Sequence, residues 1–179
     1  MKKVAVISTS PRLHSNSDIL ADAFIKGAKE SGNEVVKISL REKDIKFCKG
    51  CFACHKAGGC VIKDDAAEIC SIVKEADVVV WATPIYYYSV SGQMKTMIDR
   101  LNPLYETDYK FRDVYLLTTA ADDEPGTPDR AVAVASGWID CFPESRLAGT
   151  LFCGGVNESG EIMRHPDILA QATQMGKDV

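Results

Sequence analysis

"KVAVISTSPRLHSNSDILADAF", residues 3–24, is the stretch that decides the fold. Residues 3–9 form one continuous apolar run rich in β-branched side chains, the pattern of a strand buried on both faces of a parallel sheet. A polar turn follows. Ile19, Leu20, Ala23 and Phe24 then recur at helical spacing, with Ser15 and Asp18 placed as a capping pair at the helix start. Gly32 and Asn33 end that helix. A buried strand, a tight polar loop and an amphipathic helix make the first half of a βαβ unit, and the chain repeats the unit to its end.

"EVVKISL" (34–40) alternates as a second strand, and "ADVVVWATP" (76–84) is a third buried run stopped by Pro84. "DVYLLTTA" (113–120) and "GTLFCGG" (149–155) complete the set. Asp64 and Asp65 open a helix where acidic residues suit the positive end of its dipole, and Ile69, Ile72, Val73 and Ala76 form its apolar face. Met94, Met97, Ile98 and Leu101 mark another helix; Ala131, Ala135, Trp138, Ile139 and Phe142 a fourth; residues from Pro166 onward a fifth. Five strands alternating with five helices predict an α/β protein, a three-layer α/β/α sandwich around a five-stranded parallel sheet. We find no linker, repeat or low-complexity tract, so residues 1–179 read as one domain with a cysteine-rich loop at 41–63.

Bulk properties narrow the function. The chain has 179 residues, 46% hydrophobic and 26% charged, with a net charge of −4 and no Lys/Arg cluster. Those values argue against nucleic acid or an anionic membrane as partner. No apolar run is long enough for a signal peptide or a bilayer span, so the expected location is the cytoplasm. Seven cysteines, an odd number without a secretory signal, then read as reduced thiols rather than a disulfide framework.

Ligands of such a sheet bind at the carboxyl ends of the strands. Neither G-x-G-x-x-G nor G-x-x-x-x-G-K-[ST] occurs there, which argues against a Rossmann dehydrogenase or a P-loop NTPase. The loop after the first strand instead offers Ser10, Arg12, Ser15, Asn16 and Ser17 ahead of a helix N-terminus. Hydroxyls and free amides at that dipole end form a phosphate cradle, although helix capping alone accounts for part of the set. After the third strand come Pro84, Ile85, Tyr86, Tyr87 and Tyr88, an aromatic ledge suited to a flat ligand or to a subunit interface. A cradle beside a ledge implies a ligand with a phosphate at one end and rings at the other, which FMN matches better than a dinucleotide. With a flavin carrying the chemistry, no side chain is required as acid or base, and no catalytic residue is assigned.

Cys48, Cys51, Cys54 and Cys60 follow the pattern C-x2-C-x2-C-x5-C. The first three reproduce part of a ferredoxin motif, with Cys60 as a fourth thiolate and Gly58 and Gly59 letting the chain fold back. A [4Fe-4S] cluster, free thiols and zinc all remain open, zinc suiting this packed run least. His55 reads as a loop residue, and Cys70, Cys141 and Cys153 as small core residues.

Three segments resemble the NADPH-dependent FMN reductase family. "STSPRLHSNS" is similar to its phosphate loop, with Thr9 where the family has glycine. "TPIYYYSVSGQMKTMIDR" is similar to its flavin-side segment, and "CKGCFACHKAGGCVIKDD" to the cysteine motif of its iron–sulfur flavoprotein branch. The resemblance implies a flavodoxin-like fold with strand order 2-1-3-4-5 and bound FMN. It implies that Ser10, Arg12, Asn16 and Ser17 hold the phosphate. Thr83, Pro84, Ile85, Tyr86 and Tyr87 would line the flavin ring, with Thr118 and Thr119 closing the pocket. Lys95, Asp99 and Arg100 match as well, and an Asp99–Arg100 pairing within the helix accounts for them equally. The expected activity is NAD(P)H-dependent reduction of a flavin or quinone by a homodimer or homotetramer. The alternatives are an iron–sulfur electron carrier with a ferredoxin-like partner and a flavin-bound redox sensor.

Overall fold

The computed structural model describes residues 1–105 and 107–179. Its strands are β1 (Lys3–Ser8), β2 (Glu34–Ser39), β3 (Val78–Tyr86), β4 (Ser89–Val90), β5 (Asp113–Thr119) and β6 (Arg146–Cys153). Its α-helices are α1 (Asn16–Glu30), α2 (Ala53–Ala57), α3 (Ala66–Glu75), α4 (Gly92–Arg100), α5 (Asp129–Ile139) and α6 (Pro166–Lys177). The main sheet runs β2-β1-β3-β5-β6, and every pair in that path is parallel. Once the two-residue β4 is set aside, this is the flavodoxin-like order 2-1-3-4-5. The sequence pattern left β4 out because so short a strand has no period of its own.

Alternate residues of the central strands serve opposite layers, which is why the strand sequences are apolar without interruption. Val4, Val6, Val78 and Val80 pack with Leu20, Phe24 and Ala28 of α1 and with Ala172 of α6. Ala5, Ile7, Val79 and Trp81 pack with Ile69 and Val73 of α3, Met94 and Met97 of α4, and Trp138 of α5. Helices α1 and α6 approach closely because a glycine on each faces the backbone of the other: a Cβ on Gly27 would lie 1.9 Å from Thr173 O, and one on Gly176 2.1 Å from Phe24 O. That contact fixes the position of α1, and with it the loop leading into α1.

The elements differ from expectation at three places. Strand β3 continues through Pro84 to Tyr86 and folds back on β4, with Ile85 opposite Val90. The proline is tolerated because pairing with β1 ends at Ala82, so on that flank no ladder bond needs the missing N–H. Strand β6 starts at Arg146, ahead of Gly149, and a bulge opposite Val114–Tyr115 absorbs the added length. Within the cysteine loop the chain forms the short helix α2.

Candidate functional site

Four loops meet at the carboxyl edge of the sheet. They enclose a cleft of about 120 Å³ lined by Ser10, Arg12, Ser15, Asn16, Ser17, Pro84, Ile85, Tyr86 and Thr119, together with Ala120, Ala121, Val156, Asn157 and Ser159. The topology explains the gathering, because β1, β3, β5 and β6 all end there and their loops face one another across the switch in strand order.

The polar wall is the start of α1. Ser15 caps the helix, its Oγ accepting the Asp18 N–H at 3.2 Å. The N–H groups of Asn16 and Ser17 stand in the first turn, where no intrahelical acceptor exists. Ser10, Ser15 and Ser17 are buried, and Ser10 Oγ accepts the Arg12 N–H at 3.2 Å. Buried hydroxyls, free amides and a guanidinium around one point make a donor set that suits a phosphate. Asn16 has a further use: its Nδ2 donates to Glu158 O at 2.9 Å and its Oδ1 accepts from Ile162 N–H at 3.1 Å. Arg12 likewise donates to Asn157 O at 2.6 Å. Both residues therefore tie the loop after β6 across the cleft, a wall that no local sequence pattern announced.

Three expected ligand residues point elsewhere. Thr83 is fully buried, with its Oγ1 donating to Pro84 O and accepting from Ser91 N–H. Thr118 Oγ1 donates to Leu151 O at 3.3 Å within the sheet. Tyr87 is 99% exposed at the tip of the β3–β4 turn, with φ +50°. Its neighbour Tyr88, also at positive φ, lies under the Arg130 guanidinium, 5.6 Å from ring centroid to Cζ. Beside them the Glu124 N–H and the Thr127 hydroxyl hold the Asp122 carboxyl below its usual range.

Ser91 locks the ledge to the cradle. Its hydroxyl reaches Thr9 Oγ1 at 2.9 Å and also accepts the Met94 N–H at the start of α4. Thr9 thus has a partner that glycine would lack.

At the other end of α4, nine residues or about 13 Å away, lies a second and larger cavity. It measures about 670 Å³ and is lined by all four motif cysteines, by Ile98 and Arg100 of α4, and by Trp138, Cys141 and Phe142. Cys48 and Cys51 are exposed, Cys54 and Cys60 half-buried. Among the described residues no three His, Cys, Asp or Glu side chains gather into a group able to hold a metal ion. The thiols fit a soft metal in kind and in sharing one groove, with Cys54 and Cys60 on its more buried, inner side.

The groove is anchored by a buried ion pair. Arg100 and Asp64 are both sealed from solvent, with Nη1–Oδ2 at 2.5 Å and Nη2–Oδ1 at 2.8 Å. Burial pulls the Asp64 carboxyl upward, but the Arg100 guanidinium and the N–H groups of Lys46 and Ala66 hold it below its usual range. This corrects one expectation. Asp99 pairs with Lys95 at 2.7 Å rather than with Arg100, because at successive helical positions the two side chains diverge. Asp64 accepts the Ala66 N–H at the start of α3, as expected, and serves the loop as well. Cys141 is corrected too: α5 ends at Ile139, so the thiol falls in the following turn and is exposed, whereas Cys70 and Cys153 are buried.

Among known proteins, the chain is 43% identical over 103 residues to an iron–sulfur flavoprotein of Archaeoglobus fulgidus, which covers 58% of this chain and 46% of that one. The chain spans about half the length of the iron–sulfur flavoproteins it matches. In fold it is similar to an NAD(P)H:quinone oxidoreductase from Methanothermobacter marburgensis, with a TM-score of 0.77 and 17% identity over 99% of this chain and 95% of that one. It is also similar to an azoreductase from Bacillus anthracis, with a TM-score of 0.76 and 19% identity over the whole of both chains. Residues 2–134 match the NADPH-dependent FMN reductase family, and the chain belongs to that family.

Proposed function

We propose that this chain is an FMN-binding oxidoreductase that takes electrons from NAD(P)H and passes them to a small acceptor, a flavin or a quinone. The observation that carries this reading is the cleft: buried serine hydroxyls and the α1 N-terminus face the Pro84–Tyr86 ledge across one opening. FMN, when bound, supplies hydride acceptance and release of one or two electrons. The protein's part is binding and orientation. Ser10, Ser17 and the first-turn N–H groups would hold the phosphate, and Arg12 would add positive charge. Pro84, Ile85 and Tyr86 would support the ring, with Thr119 and Ala120 opposite. Family membership and the names of the structural neighbours agree with this reading.

At about 120 Å³ the cleft is smaller than the ~300–1,000 Å³ usual for a whole ligand. Much of the ring would therefore lie on the rim, where exposed Tyr86, Tyr87 and Tyr88 suit a second copy of the chain. A homodimer or homotetramer in the cytoplasm is the form we propose. Steady-state oxidation of NADH and NADPH by FMN-loaded protein, with quinone or free FMN as acceptor, tests the activity. Turnover that depends on bound FMN is expected, and no turnover with either nicotinamide and any acceptor overturns it.

A second reading is favoured by the shared groove of Cys48, Cys51, Cys54 and Cys60. It makes the chain an iron–sulfur electron carrier serving a ferredoxin-like protein. Rapid reduction by ferredoxin with slow NAD(P)H turnover would place it first.

A further inference from the structure

We infer that Asn102 and Arg100 are positioning residues that fix Cys54 and Cys60 as the inner, anchoring edge of a site for a thiophilic metal centre. The orientation of the two sulfurs is independent of any metal, while their use as ligands rests on the iron–sulfur reading.

The four cysteines are not equivalent. Asn102 Nδ2 donates to Cys54 Sγ at 3.1 Å, and Arg100 Nη2 reaches Cys60 Sγ at 3.5 Å. Arg100 also donates to Lys46 O at 2.7 Å, so one side chain grips the loop at both its entry and its exit. Among the described residues, Cys48 accepts only the N–H of Gly50, from within the loop itself. Cys54 and Cys60 are thus each held from α4 or the turn that follows it.

A further observation points to a ligand. Arg100 is 1% exposed and lines the groove, yet its Nε has no hydrogen-bond partner among the described residues. A buried guanidinium N–H without an acceptor is costly, and anionic sulfur brought into the groove would supply one.

N–H donors aimed at ligand sulfurs stabilise the more negatively charged, reduced state of a thiolate-bound centre and so raise its potential. The test compares the wild-type chain with Asn102→Leu, which keeps the bulk and removes the donor. Iron-free folded protein is alkylated with iodoacetamide and each cysteine is followed by mass spectrometry. The same proteins, reconstituted anaerobically with ferrous iron and sulfide, are assayed for iron and for midpoint potential. Alkylation of Cys54 is expected to slow by up to about fivefold, the equivalent of one ordinary hydrogen bond, because iodoacetamide attacks the sulfur anion that the Asn102 N–H stabilises, with Cys48 unchanged. The reconstituted centre is expected to keep its iron and move to a more negative potential. Unchanged Cys54 reactivity overturns the positioning role. An unchanged potential at full iron content overturns its bearing on the centre. Failure of the wild-type chain to take up iron defeats the iron–sulfur reading, and with it the use of these sulfurs as ligands, while the alkylation pattern still decides their orientation.

Discussion

Replacing Asp64 with asparagine tests the buried anchor of the cysteine loop. The carboxylate accepts four hydrogen bonds, two from Arg100 and one each from the N–H groups of Lys46 and Ala66. An amide of the same shape turns an NH2 toward two of those donors and leaves the sealed guanidinium without its counter-charge. Removing one partner of a buried pair costs about 3–5 kcal/mol, a large part of the roughly 5–15 kcal/mol that stabilises a domain. The assay is urea unfolding followed by the fluorescence of Trp81 and Trp138, both buried in the layer that packs against α4. The midpoint should fall steeply with the slope unchanged. The pair Asp64→Leu with Arg100→Met should recover much of the loss, because apolar side chains of similar size leave no buried charge behind. Acid unfolding supplies the sign check. A carboxyl held low in the folded state contributes stability above the ordinary carboxylate range, and the contribution disappears as pH falls through the lowered value. Asp64→Asn should flatten that acid limb. A loss under about 1 kcal/mol, or a double variant no better than the single one, would refute the reasoning.

Other expectations follow from the same contacts. Gly176→Ala forces a Cβ to within 2.1 Å of Phe24 O, so α1 and α6 must separate; a loss of at least ~1–3 kcal/mol should appear in thermal unfolding. Ser91→Ala removes both the α4 cap and the bond to Thr9; stability should drop by about 1–2 kcal/mol and FMN should bind more weakly by fluorescence titration. Burial pushes the Cys70 thiol up from 9.0 to about 11. The folded state is thus favoured while this thiol stays protonated, and that contribution should fade as pH rises from about 9 to 11. Cys70→Ala should remove this part of the alkaline loss, read as unfolding free energy against pH.

Much of this could be read in the chain because it depends on neighbours in sequence. The apolar run of β1, the serine-rich turn and the Ser15 cap are local, and with parallel topology they place buried serines and the start of α1 at the carboxyl edge of the sheet. What escaped depends on partners far along the chain. Arg100 and Asp64 lie 36 residues apart, and nothing near Arg100 distinguishes a buried counter-ion from Asp99 beside it. Pro84 reads as a strand breaker until one knows that β1 has already ended beside it. Asn157 and Ser159 enter the cleft because Arg12 and Asn16 draw the loop after β6 across it, a contact spanning some 145 positions. Cys141 followed the helical period of α5 by two residues too many, since a period marks a face and not an end.

The central claim is that the cradle at the start of α1 recognises a phosphate carried by a flavin. Flavin fluorescence titration of the ligand-free chain with FMN and with riboflavin, which shares the ring and lacks the phosphate, measures this directly. The account predicts saturable quenching by FMN and weaker binding of riboflavin by at least about 100-fold, the worth of two charge-assisted hydrogen bonds. Equal affinities, or no binding of FMN, would contradict it.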